Sequence, residues 1–270
     1  MKMKKKLLAL FLGCALIFGL AACGDSPDDA SNPSDDNAGG EGATYVVGIS
    51  QYVTHPALDA ATEGFQDALN ELLPGQVEFD YQNAAEDTET CSTIANAFVS
   101  KNVDLIMANA TPALQAAAAA TGDIPILGTS VTEYGVAFGI ADFSGTVGGN
   151  VSGTSDLAPL GEQAAMIKEW CPDAKNIGLL YCSNEDNSQY QVDTVQGYLE
   201  GMGYTCKQYA FSDSNDIAAV TQTAADESDV LYIPTDNSAA SNTPIIDNIC
   251  HGKIPVFAGE EGICAGCGVA

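Results

Sequence analysis

The chain has 270 residues, and 36 acidic against nine basic residues give it a formal net charge of −27. None of the basic residues is arginine. This charge excludes nucleic acid and other polyanions as partners, and it is typical of a well-solvated surface outside the cell.

Residues 1–22 have the pattern of a bacterial lipoprotein signal peptide. Four lysines precede a short apolar run at 7–20, and small residues lead to Cys23. Because the run is too short to span a bilayer comfortably, we predict cleavage rather than a retained membrane helix. Lipidation is expected at Cys23, with the lipid anchor holding the protein on the extracytoplasmic face of the cell membrane.

Residues 23–43 are predicted to form an acidic, disordered tether. After the cysteine, acidic residues are mixed with Ser, Asn, Gly and Pro, and no aliphatic residue larger than Ala occurs. A segment of this composition cannot bury a core.

An α/β lobe is predicted at 44–136. Short β-branched runs alternate there with helix-like segments, which indicates a parallel sheet. The predicted strands are 45–52, 77–82, 103–109 and 124–129. The predicted helices are 57–73, 88–99 and 112–121.

A second α/β lobe is predicted at 159–270. Its predicted strands are 176–182, 204–211, 230–233 and 254–258. Its predicted helices are 159–170, 188–202, 216–226 and 243–250. Between the lobes, residues 137–158 are rich in glycine and lack helical periodicity, so we predict a hinge or crossing segment there.

The predicted fold class is therefore α/β, with two doubly wound, Rossmann-like lobes joined by a hinge. In such folds ligands bind outside the carboxyl ends of the strands, next to helix N-termini. Polar segments stand at those places: GISQYVTHPALD at 48–59, NATPA at 109–113, NVSGTSD at 150–156, YCSNEDNS at 181–188 and IPTDN at 233–237.

These five segments, in this order, resemble the ABC-transporter substrate-binding lipoproteins of the tryptophan/tyrosine-binding type. The resemblance covers residue 44 to the end of the chain. It implies a type I periplasmic-binding-protein fold that closes on one small molecule and delivers it to a membrane permease with a cytoplasmic ATPase. It also implies an aromatic or other hydrophobic amino acid as ligand, with no chemistry done on it.

An amino-acid ligand would bring a carboxylate and an ammonium group, and each needs its own partner. Because arginine is absent, we expect the carboxylate to be held by backbone N–H groups and hydroxyls at helix N-termini, near Thr111 and Ser188. An ordinary helix cap remains the alternative for each. For the ammonium group we expect Asp236 with Asn237, and Glu185 second.

Further polar residues complete the predicted site. Gln51 and His55 flank the start of the first helix and are expected to bond a polar end of the ligand, although His55 is equally compatible with helix-start packing. Ser130, Ser155 and Asn187 are added as small polar groups at the cleft.

Three alternatives to amino-acid uptake remain open. A sugar is the rival ligand, but the only tryptophan, Trp170, lies late in a helix pattern. A sensory lipoprotein would have the same fold and pocket. An enzyme is not predicted, because no nucleophile elbow, phosphate loop or convincing pair of carboxylates occurs. No cofactor is expected.

Seven cysteines remain once Cys14 and Cys23 are set aside with the N-terminal region. Because seven is odd, at least one thiol is predicted to lack an intramolecular partner. Cys264 and Cys267 form a CxxC pair, but a single such pair is weak support for a metal, and none is predicted. The family resemblance further implies that relatives continue beyond the last residue, so the final elements of the fold are expected to be missing.

Overall fold

The computed structural model describes residues 44–268 as two parallel α/β lobes. The signal peptide, Cys23 and the tether predicted above lie outside the described residues. Within the described range, no helix is both long and apolar enough to cross a membrane.

The first lobe is a five-stranded sheet in the order β2-β1-β3-β4-β5. Its strands are β1 (Tyr45–Gln51), β2 (Val77–Asn83), β3 (Leu105–Asn109), β4 (Ile126–Val131) and β5 (Val151–Ser155). Its helices are α1 (Pro56–Leu72), α2 (Thr88–Lys101), α3 (Thr111–Ala120) and α4 (Tyr134–Phe138).

The second lobe is a four-stranded sheet in the order β7-β6-β8-β9. Its strands are β6 (Asn176–Cys182), β7 (Thr205–Phe211), β8 (Val230–Ile233) and β9 (Val256–Ala258). Its helices are α5 (Leu160–Trp170), α6 (Asp186–Gly201), α7 (Ile217–Glu227), α8 (Asn237–Ser241), α9 (Thr243–Cys250) and α10 (Glu261–Cys267).

Central strands of both sheets are continuous apolar runs, as expected for parallel strands that helices cover on both faces. Ile49 and Ile106 are fully buried in the first lobe, and Leu179, Leu231 and Tyr232 are fully buried in the second. Strand pairing is parallel throughout both sheets. The carboxyl ends of all strands of a lobe therefore lie at one edge of its sheet.

The predicted hinge at 137–158 is wrong for residues 137–155, which belong to the first lobe. Residues 151–155 are strand β5, which pairs with β4 and belongs to the first sheet. The glycine-rich stretch before it is a loop of the same lobe, in which Gly145, Gly148 and Gly149 have positive φ. The chain passes to the second lobe only after Ser155, at 156–159. The first lobe therefore extends beyond its predicted end at residue 136.

Candidate functional site

A cavity of about 200 Å³ lies between the carboxyl ends of the two sheets. It is lined from both lobes, by loops that follow strands β1, β4, β5, β6, β8 and β9. The lining residues are His55, Ala57, Leu58, Ser130, Thr132, Asp156, Ala158, Asn187, Thr235, Asp236, Asn237, Ala240, Gly259 and Glu260.

The backbone is strained where β3 and β4 end. Ala110, directly after β3, has φ +85, and Ser130, next to the last residue of β4, has φ +53. Residues with a Cβ seldom adopt such angles, and those that do cluster at binding and catalytic sites. Ser130 lines the cavity, so the strain lies at the candidate site.

Helix α3 begins at this same edge without a side-chain cap. Its N-cap position is Ala110, and Thr111 and Pro112 are the first residues of the helix. Thr111 is 2% exposed, and its Oγ1 has no hydrogen-bond partner among the described residues. Uncapped N–H groups and a free hydroxyl at a helix start are suited to an anion such as a carboxylate.

Two carboxyl groups stand at the end of the cavity formed after β5 and β9. Asp156, at the end of the first lobe, is exposed, and Glu260, in the second lobe, is half-buried. Reduced hydration between the lobes raises the pKa of Asp156; the charge of Glu260 adds to the rise, while Thr132 opposes it. Glu260 also caps α10, accepting hydrogen bonds from the N–H groups of Gly262 and Ile263.

A buried network supports the second lobe's side of the cavity. Asp236 is 1% exposed, and its two carboxylate oxygens accept hydrogen bonds from Cys182 N and Ala239 N, each at 2.7 Å. Burial, followed by the negative charge of Glu185, raises the pKa of Asp236 to about 8. Glu185 accepts hydrogen bonds from Asn237 Nδ2 at 2.6 Å and Ser238 N at 2.9 Å. Both carboxyls thus fix the start of α8.

Asn187 lies between this network and the cavity. Its Nδ2 donates to the Thr235 carbonyl and to Glu185 Oε2, both at 3.3 Å. Its Oδ1 is buried and accepts no hydrogen bond within the described part of the chain. Since Asn187 also lines the cavity, that oxygen is available to a donor on a ligand.

Three hydrogen-bonded contacts cross from one lobe to the other, and we call them the cross-lobe contacts. His55 Nε2 lies 3.2 Å from Asn237 Oδ1, and Gln115 Nε2 donates to Asp186 Oδ2 at 2.8 Å. The third is made by Glu86, which follows β2 and accepts hydrogen bonds from the Ser241 hydroxyl at the end of α8 and from Asn242 Nδ2. Together these contacts join the two lobes across the cleft.

Five of the ten predicted ligand-binding residues line the cavity. They are His55, Ser130, Asn187, Asp236 and Asn237. The other five, Gln51, Thr111, Ser155, Glu185 and Ser188, are not among its lining residues. Of these, Thr111 stands at the cleft edge with its hydroxyl free, and Glu185 and Ser188 are buried beneath the site.

Two of these five have their polar atoms occupied by their own lobe. Gln51 donates to the Val53 carbonyl and to Asp59, and it accepts from Thr62. Ser155 Oγ donates to the Thr132 carbonyl at 2.7 Å. Both side chains therefore stabilise the loops that carry lining residues.

Sequence reasoning missed several lining residues. Asp156, Thr132 and Glu260 were not candidates. A usable signal existed, because each follows a strand directly or within two residues, where ligands of α/β folds bind. The small apolar residues of the lining, such as Ala57 and Ala240, carry no signal of this kind.

A cavity enclosed by two α/β lobes, with binding groups on both, defines the class of cleft-closing ligand-binding proteins. The chain belongs to the ABC transporter substrate-binding protein family, whose model matches residues 46–270. A tyrosine-binding protein of Clostridioides difficile is 39% identical over 264 residues, covering 96% of this chain and 76% of that relative.

Solved structures show the same relationship. An ABC domain of Streptococcus pneumoniae in complex with L-Trp is 32% identical, with a TM-score of 0.79 over 84% of this chain and 77% of that one. A ligand-free, open substrate-binding protein with adhesive properties from Clostridium difficile is 39% identical, covering 83% of this chain and 77% of that one, with a TM-score of 0.56. The predicted type I periplasmic-binding-protein fold is confirmed.

The two TM-scores differ in the direction opposite to the sequence identities. The more identical protein, in its open form, fits worse than the less identical one with its ligand bound. In the conformation described, hydrogen bonds join the two lobes across the cleft.

Proposed function

We propose that this protein captures one aromatic or other hydrophobic amino acid between its lobes and delivers it to the permease of an ABC importer. The observation that carries the proposal is the distribution of groups along the cavity. The carboxyl groups of Asp156 and Glu260 and the hydroxyl of Ser130 stand at one end, whereas small apolar residues stand at the other, beside His55 and its partner Asn237.

Strand order separates these two ends. His55, Ala57 and Leu58 follow β1, whereas Ser130 lies near the end of β4 in the same sheet. Strand β3 lies between β1 and β4, so the two groups are roughly 10 Å apart across the sheet. That span fits an amino acid with its charged groups at the β4 end and its side chain at the β1 end.

At the charged end, the two ionic groups of the ligand have different partners. The ammonium group is placed between Asp156 and Glu260, one from each side of the cleft, so that binding favours closure. The carboxylate is placed toward Ser130 and the uncapped start of α3 at Thr111. Asp236, our first candidate for the ammonium group, is 1% exposed and has both oxygens engaged by backbone N–H groups. Glu260 also accepts two backbone N–H bonds, but it is half-buried, and each carboxylate oxygen can accept a further hydrogen bond from the ligand.

The side-chain end is apolar and small. Ala57, Leu58 and Ala240 line it, and no phenylalanine, tyrosine or tryptophan of the described residues lines the cavity. A sugar site would call for aromatic stacking surfaces, and Trp170 is 61% exposed on the outside of the second lobe. The lining therefore favours a ligand that brings its own ring or aliphatic group.

The relatives support the same ligand class, since one is a tyrosine-binding protein and another was solved with L-Trp. Lipidation at Cys23, anchoring outside the membrane and transfer to a permease are further parts of the proposal. They rest on the sequence pattern of residues 1–23 and on membership of the family.

A thermal-shift screen of the purified full-length protein against the twenty amino acids and a panel of monosaccharides tests the ligand class. A ligand present at 100 times its Kd stabilises the folded protein by about 2.7 kcal/mol. We expect an upward shift of Tm with aromatic or aliphatic amino acids. A shift with sugars alone would contradict the proposal while leaving the fold unaffected.

A further inference from the structure

The hydrogen-bonding role of His55 in the cavity lining can be assigned from its neighbours. Glu185 is fully buried, and its carboxylate only accepts hydrogen bonds when ionised. The side-chain amide of Asn237 lies 2.6 Å from it, so the atom facing Glu185 must be Nδ2. The other amide atom of Asn237, its oxygen, therefore points elsewhere.

That oxygen faces His55 across the cleft. Asn237 Oδ1 lies 3.2 Å from His55 Nε2, and an amide oxygen only accepts hydrogen bonds. The proton of a neutral His55 ring must then sit on Nε2. The second ring nitrogen, Nδ1, keeps a lone pair and becomes an acceptor. Among the described residues, none donates to it.

His55 is 7% exposed, yet it lines the ligand cavity at its apolar end. Apart from its partner Asn237, its neighbours there, Ala57, Leu58 and Ala240, offer no side-chain hydrogen-bonding group. A buried acceptor that stays unpaired weakens binding, whereas one that meets a donor strengthens it. The ring is thus positioned to distinguish ligands by what the far end of their side chain carries.

Resting on the proposed function, we infer that His55 selects amino acids whose aromatic side chain carries a hydrogen-bond donor, namely a phenol O–H or an indole N–H. Phenylalanine fits the same space but leaves Nδ1 unpaired. Because Asn237 belongs to the other lobe, the selective form of His55 is set only when the cleft closes.

The first test compares ligand pairs on the unaltered protein by isothermal titration calorimetry. Tyrosine is paired with phenylalanine, and tryptophan with 3-benzothienylalanine, which has nearly the same shape but no N–H. We expect the member with the donor to bind about tenfold more tightly or better in each pair. Equal affinities within both pairs would overturn the inference, while the proposed function would stand.

The second test replaces the acceptor. The substitution His55→Leu is expected to bring the tyrosine-to-phenylalanine affinity ratio close to one, mainly by weakening tyrosine. His251→Leu is the matched control, because His251 is exposed and pairs with Asp247 away from the cavity, and it should keep the ratio of the unaltered protein. A His55→Leu protein that retains the full preference would overturn the inference.

The two tests also separate this inference from the proposal on which it rests. If no amino acid binds at all, the proposed function fails and the inference fails with it. If the His55→Leu protein does not fold, the ligand pairs on the unaltered protein still decide the matter, since they need no substitution.

Discussion

Asp156 shows how one side chain acquires a role from its position rather than from its type. It follows β5 at the point where the chain leaves the first lobe, and it meets Glu260 of the second lobe across the cavity. Two carboxyl groups that approach each other in a closed cleft repel unless a cation lies between them. An ammonium group therefore stabilises the closed form at this place.

We expect Asp156→Asn to weaken amino-acid binding about tenfold, because one charge-assisted hydrogen bond is lost at a partly hydrated site. The loss should also change the pH dependence. Protons compete with the ammonium group for Asp156, whose raised pKa makes this competition begin at a higher pH than for an ordinary aspartate. Affinity of the unaltered protein should thus fall as the pH falls.

Calorimetric titrations from neutral to acidic pH measure both effects. The Asp156→Asn protein should bind weakly with a flatter pH profile. Asp123→Asn serves as the control, since Asp123 is exposed before β4, at the opposite end of the sheet. Identical pH profiles for the unaltered protein and Asp156→Asn would contradict the assignment of the ammonium site.

The sequence predicted the part of the site that polar residues after strands reveal. His55, Ser130, Asn187 and Asn237, predicted in this way, line the cavity, because parallel strands bring all such positions to one edge. Their contact with a ligand stays a prediction. It did not predict which side-chain oxygens already accept hydrogen bonds from within the protein. Asp236 is an obvious candidate by position, yet its engagement by two N–H groups depends on contacts between β6 and α8.

At the scale of elements, the start of α8 is the best-supported helix end in the second lobe. Asp236 caps it and at the same time joins it to the end of β6 through Cys182 N. Glu185 adds hydrogen bonds from the next two N–H groups of the helix, those of Asn237 and Ser238. A helix of five residues needs such support, because its own hydrogen bonds do not suffice.

The substitution Asp236→Ala is expected to lower the free energy of unfolding by about 3 kcal/mol, since it leaves two buried N–H groups without an acceptor. Asp87→Ala is the matched control. Asp87 also caps a helix, α2, but it is exposed to solvent, so water can replace the lost acceptor. Urea unfolding should show a clearly smaller loss for Asp87→Ala. Equal losses would mean that burial adds nothing to the cap of α8.

Elements differ in how well the sequence predicts them, and the reasons are physical. Helices such as α1 and α6 and buried strands such as β6 have the expected periodicity and were predicted to within a few residues. Strand β5 was missed because its residues are exposed or half-buried, at the edge of the first sheet. Glycine at position 153 allows close approach to β4, because a Cβ there would clash with the Gly128 carbonyl.

At the scale of the whole molecule, ligand affinity depends on how easily the lobes close. The Glu86 contact lies outside the lining of the cavity, so it affects closure without touching the ligand. The backbone at Ala85 and Glu86 is strained, with φ of +52 and +68, and this conformation presents Glu86 to the opposite lobe. Apparent affinity scales with the fraction of molecules able to close.

Glu86→Ala is therefore expected to enlarge the radius of gyration without ligand and to weaken binding several-fold, whereas Glu86→Gln keeps an acceptor for Ser241 and should change both less. Small-angle X-ray scattering and calorimetry measure the two quantities. Unchanged scattering and affinity in Glu86→Ala would show that the contact does not contribute to closure.

The buried thiols have a practical consequence. All seven cysteines among the described residues are free, and three are fully shielded: Cys91 in the first lobe, and Cys182 and Cys250 in the second. A thiol-reactive dye can label these three only when the surrounding lobe opens or unfolds. The labelling rate of each buried thiol therefore reports how often its own lobe opens. Mass spectrometry of pulse-labelled peptides would time the loosening of each lobe separately, and ligand should slow both.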